Sequence, residues 1–194
     1  MALNLLARLW RAIKKPTQAA DLPVWNTVKL GTCKTADEYR KALKKAGRRI
    51  GDWANDILGK PAFTASQQET EVDLVVATVA ELGLTEGGQY KDICARAVEM
   101  GLELCPAEVG PALRLVYDDQ PKGEWLIIAM EAITDSDGYR YVFAVGTTGS
   151  SCGSTAATVV PSASGTLAAA SCSCVASRRT LASNPLLWLC HVDK

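Results

Sequence analysis

Apolar positions along this chain change their period several times, and each change predicts an element. Leu3, Leu6, Leu9, Trp10 and Ile13 recur at helical spacing, with Arg8, Arg11, Lys14 and Lys15 opposite, so residues 2–15 read as an amphipathic helix that Pro16 ends. Val24 to Leu30 alternates as a short strand. Thr35 with Glu38 forms a capping box and opens a helix through Tyr39, Leu43 and Ala46, stopped by Gly47. A second short helix carries Ile50, Trp53, Ala54 and Ile57 as its apolar stripe and ends at Gly59-Lys60-Pro61. Val72 to Val79 fits either type: its valines favour a strand, whereas Ser66 and Glu69 could cap a helix. Tyr90 to Leu104 predicts a helix with Ile93, Cys94, Ala97 and Met100 inward, broken before Pro106. Leu113–Tyr117, Trp125–Ile133 and Tyr139–Val145 read as strands, joined by turn-rich links at 118–123 and 134–138.

The pattern predicts an α+β chain, N-terminal helices followed by an antiparallel β-sheet that is incomplete at the C-terminus. Its organisation reads as an amphipathic helix in 1–20, an α+β domain in 21–146 and a tail in 147–194. The tail is set apart by composition. From Gly146 to Ser177 all but five residues are Ser, Thr, Ala, Gly or Cys, and none is charged. A shift of one base in the gene would give this texture. Read in the neighbouring frame, residues 147–174 permit HYGELVRFNGGYGGPERVWDAGCRFVFV, in which Ser171 to Cys174 becomes an alternating aromatic and aliphatic run. On that reading the printed tail is disordered, residues 180–194 are read-through, and Tyr139–Val145 is left as an exposed edge. A Gly/Ser-type linker is the plainer alternative, although linkers seldom carry so many cysteines.

Charge adds a second asymmetry. Residues 1–60 carry thirteen Lys/Arg against five Asp/Glu, and residues 61–146 carry five against fifteen. Either the basic half faces an anionic partner, or it packs against the acidic half of its own domain. The body holds three cysteines, Cys33, Cys94 and Cys105, without CxxC spacing, as expected of free thiols in a reducing cytoplasm. No run of about twenty apolar residues is present to span a membrane. The N-terminal helix could instead lie on a membrane surface through residues 1–15, or dock onto protein.

Candidate chemistry is sparse. The single histidine, His191, lies in the tail, so the body has no imidazole for a triad or a His metal site. Gly59-Lys60 runs into Pro61 and opens no phosphate loop, and no cofactor is expected. Asp135-Ser136-Asp137-Gly138 begins like a calcium loop, but the downstream bidentate Glu is missing and a plain turn accounts for it. Carboxylates near strand ends could perform acid–base or metal-assisted hydrolysis, with Asp118 and Glu124 the candidates among Glu103, Glu108, Asp119, Asp135 and Asp137. Lys34, Arg40, Lys41, Lys44, Lys45, Arg48 and Arg49 form a basic patch that could contact phosphates, while Tyr39 and Trp53 sit at core spacing and are poor stacking candidates. The leading expectation is a non-enzymatic module binding a protein partner. Nucleic-acid binding through 34–60 and a carboxylate-dependent hydrolase are the alternatives.

The strings DLPVWNTVKLGT, EYRKAL, GDWANDILGKPAF and LELCPAEVGPALRLVYDDQPKGEWLIIAME resemble a small uncharacterised bacterial family. The resemblance spans nearly all of the body. It implies an aromatic, Gly-rich close ending in an FVFV-like strand and basic residues, which the shifted frame restores near Arg178-Arg179. Some relatives carry a helicase label, for which this chain offers no phosphate loop. The family brings no catalytic residues to transfer.

Overall fold

The computed structural model describes residue 18 and residues 22–147, 155–161, 166–167 and 173–178. The expected helix at 2–15 lies outside them. The described elements run β1 (Asn26–Leu30), α1 (Ala36–Lys45), β2 (Arg49–Ile50), α2 (Asp52–Leu58), β3 (Thr70–Thr78), β4 (Gly88–Gln89), α3 (Tyr90–Glu99), α4 (Val109–Val116), β5 (Trp125–Ile128), β6 (Ile133–Thr134), β7 (Arg140–Thr147), β8 (Thr155–Pro161), β9 (Thr166–Leu167) and β10 (Ser173–Arg178). The fold is α+β, with helices and strands interleaved rather than helices first.

Local sequence accounts for most of these elements. Thr35 caps α1 by accepting from the Glu38 backbone N–H at 3.2 Å, and Gly47 ends the turn in the left-handed region at φ 68°. The Glu38 carboxylate accepts from the Lys34 N–H, closing the cap from the other side. Val72 to Val79 resolves as a strand, because the alternation of β-branched residues finds partners on both sides.

Leu113–Val116 belong to α4 and Tyr117 is its C-cap, where the spacing predicts a strand. Pro111 falls in its first turn, where no backbone donor is needed, so proline does not break it. Its apolar residues cover most of the circumference, which hides a helical period; Val109 to Arg114 are buried and only Val116 is exposed. The strand expected over Trp125–Ile133 is divided into β5 and β6 by residues 129–132.

The main sheet has the order β1-β3-β10-β5-β7-β8-β2, with β6 also on β7, and β4 pairs β9 separately. Most pairs are antiparallel, while β10 runs parallel to β5, and β2 parallel to β8. Helix α4 packs on β1 as well as on β7 and β8, which stand far apart in that order. The sheet therefore curls around α4 without closing. The approach is tight at Gly110, where a Cβ would come within 2.6 Å of the Phe143 Cβ.

The expectation of a sheet cut off after β7 is corrected for the described tail residues. Strand β7 is no edge: β8 pairs with it from Tyr141↔Pro161 to Thr147↔Thr155. Strand β10 lies between β3 and β5, and Val175, Ala176 and Ser177 are buried. Residues 155–161, 166–167 and 173–178 of the tail take the form of strands. A ladder is made of backbone groups, and Thr and Val suit it, so a tail of small residues can still supply strands.

Candidate functional site

The basic segment is divided by its own neighbours. Arg40 bridges α1 to α2, its Nε donating to Asn55 Oδ1 at 2.7 Å and its Nη1 pairing with Asp37 at 2.8 Å. Lys34 donates from Nζ to the Gln67 carbonyl at 2.8 Å. Arg48 pairs with Asp118. Lys41, Lys44, Lys45 and Arg49 remain exposed. Both outcomes allowed by the charge asymmetry are therefore present: Arg48–Asp118 and Lys29–Glu71 tie the halves together, while the end of α1 keeps an outward positive face.

The candidate carboxylates are also committed. Asp118 serves Arg48, and Glu124 Oε2 accepts from the Tyr117 hydroxyl at 2.8 Å. Burial and the Glu124 carboxylate together push the Tyr117 phenol up. Asp118 stands beside Arg114, which is fully buried and donates to Gln120 Oε1 at 2.7 Å and to the Tyr117 carbonyl. Burial, then repulsion from Arg48, lowers the Arg114 pKa to about 10, leaving it charged at neutral pH. Arg114 Nε has no hydrogen-bond partner among the described residues. This cluster fastens the end of α4 to the link before β5. It brings Asp118 and Glu124 into one neighbourhood, but as acceptors for structural donors.

Among the remaining acids, Asp135 Oδ1 accepts from the N–H groups of Asp137 and Tyr139 at 2.9 and 2.8 Å, which makes 135–138 a plain turn. No group of three or more potential metal ligands occurs among the described residues. Glu108 is fully buried: Oε1 accepts from Gly31 N–H at 2.8 Å and Tyr39 Oη–H at 2.7 Å, and Oε2 from Ser66 N–H at 2.8 Å. Cys33, Cys94 and Cys105 are free; Cys94 and Cys105 are buried, and burial raises the pKa of all three.

Trp53 departs most from its sequence expectation. Tyr39 is buried as the spacing implied, whereas Trp53 is 57% exposed and lies flat on Tyr141, with ring centroids 5.9 Å apart and planes inclined by 16°. Helix α2 turns Ala54, Ile57 and Leu58 inward, which leaves its first turn at the rim. Lys60 and Asp56 hold that helix against the β6–β7 turn. Asp56 accepts from Ser136 N–H and Oγ–H, both at 2.8 Å, and these bonds hold its carboxyl below the usual range. Tyr139, two residues before Tyr141, is 65% exposed. The rim thus carries an exposed indole and phenol, beside a rigidly held turn. Only the odd placement of an indole between Asp52 and Ala54 hinted at this in the sequence.

No helix among the described residues is long and apolar enough to cross a membrane. Comparison of the chain with family models, with curated proteins and with solved structures returns no match.

Proposed function

We propose that this chain is a non-enzymatic binding module of a bacterial, cytoplasmic protein, and that it recognises a protein partner through the surface formed by Trp53 and Tyr139, with the buried Tyr141 supporting the indole from beneath. One observation carries the reading: an indole more than half exposed, yet already oriented by stacking on Tyr141. Fixed aromatics make strong binding anchors because little side-chain entropy remains to be lost on association. Buried free thiols agree with a reducing compartment. A photo-crosslinking residue at the exposed position 52 in the full chain, which keeps the indole, should capture one discrete protein, which, purified, binds the wild type and loses at least roughly tenfold in affinity to Trp53→Ala. Equal affinity for wild type and Trp53→Ala would refute it.

Nucleic acid is the second reading, favoured by the exposed Lys41, Lys44, Lys45 and Arg49 just before Trp53. It requires salt-dependent retention on single-stranded RNA or DNA that falls with both Lys44→Glu/Lys45→Glu and Trp53→Ala.

The frame change is a separate proposal. The small buried residues of β10, Ala176 and Ser177, support it, since a strand at the centre of a sheet is normally bulky on both faces. Sequencing the coding DNA through codon 146 tests it: a neighbouring open frame rich in aromatics and glycine supports the change, and its absence makes the printed tail genuine.

A further inference from the structure

A cavity of ≈ 500 Å³ opens between the first turn of α3 and the link from β5 to β6. It is remote in character from the aromatic rim: its floor is apolar and its mouth is charged. Leu104, Met130 and Cys94 form the floor, and Lys91, Glu131 and Arg140 stand at the mouth. The volume falls within the roughly 300–1,000 Å³ of small-molecule sites. The floor is held rigid, because the Tyr90 hydroxyl bonds to the Ile128 and Met130 carbonyls and accepts from the Met130 N–H at 2.7 Å. Lys91 and Glu131 carry opposite charges on the same mouth, yet they form no ion pair with each other or with another described group.

We propose that this cavity binds a small zwitterion of the α-amino-acid type with an apolar side chain. Its carboxylate faces Lys91 and its ammonium faces Glu131, while its side chain lies over Leu104, Met130 and Cys94. A purely anionic or cationic ligand would leave one rim charge opposed to its own sign or desolvated without a partner. An uncharged apolar ligand would gain nothing from either.

Calorimetric titration of the full chain with L-leucine and L-methionine tests the assignment, alongside N-acetyl-L-leucine, which lacks the ammonium, and L-leucinamide, which lacks the carboxylate. The free amino acids should bind saturably, and each blocked form at least roughly tenfold more weakly. Lys91→Gln should abolish discrimination against the amide alone, and Glu131→Gln discrimination against the N-acetyl form alone. Both positions are exposed, so folding survives, and Lys122→Gln serves as a control. Absence of saturable binding by any of the four compounds up to about 10 mM overturns the proposal. So does discrimination that persists unchanged in both charge variants.

Discussion

Replacing Glu108 by glutamine should destabilise the protein by about 3–5 kcal/mol. The carboxylate is fully buried and accepts three hydrogen bonds from segments far apart in sequence: Gly31 after β1, Tyr39 in α1 and Ser66 before β3. A glutamine oxygen in the place of Oε1 could still serve Gly31 and Tyr39, but as a neutral acceptor with roughly half the strength. The amide nitrogen would then meet the Ser66 N–H, donor against donor. Losing that bond costs about 1.5–3 kcal/mol, and weakening the other two accounts for the rest. Tyr39→Phe removes one donor and leaves the carboxylate two, so about 1–2 kcal/mol is expected. Urea unfolding followed by circular dichroism measures both, and the double variant should show a coupling of about 1 kcal/mol. A cost below about 1 kcal/mol for Glu108→Gln, or additivity in the cycle, would refute this account of the clamp.

Cys105 sets a pH dependence. Its thiol lies 3.6 Å from the Val175 carbonyl and is pushed up to about 12 by burial. The folded pKa exceeds the unfolded value of about 8.5, so the contribution is fully present below pH ~8.5 and is lost as pH climbs toward 12. Between pH 8 and 10 the wild type should lose about 2 kcal/mol more than Cys105→Ala, read from urea midpoints at each pH. Val175→Pro in β10 should cost at least about 3 kcal/mol, because it disturbs the strand that joins β3 to β5, and a chain ended after residue 172 should show no cooperative thermal transition. Gly110→Ala should lower stability by about 1–3 kcal/mol, since its Cβ would meet Phe143 at 2.6 Å, and an unchanged melting temperature would contradict that packing. Trp53→Ala should cost only about 0.5–1.5 kcal/mol in the same melts while removing partner binding.

Elements whose signals are local were legible in the chain: the Thr35 cap, the Gly47 stop, the inward stripe of α3, the turn at 135–138. Each depends on residues a few positions apart, where sequence spacing and spatial proximity coincide. The α+β class followed from the same local patterns, and so did the exposure of Lys41, Lys44 and Lys45. Tertiary structure decided the rest. Whether Leu113–Tyr117 is strand or helix depended on what surrounds it, since a short segment apolar on nearly every face shows no period. Glu108 and Arg114 look like surface charges in the sequence. They became buried because donors and acceptors from distant segments meet them inside the curl of the sheet, and only such partners make burial of a charge tolerable. Trp53 followed the apolar spacing of its helix and yet lies at the rim, because α2 spans only Asp52–Leu58 and its first turn overhangs Tyr141. The place of β10 between β3 and β5 was invisible for a related reason: strand order is set by long-range backbone pairing, which leaves no mark on the periodicity of any one segment.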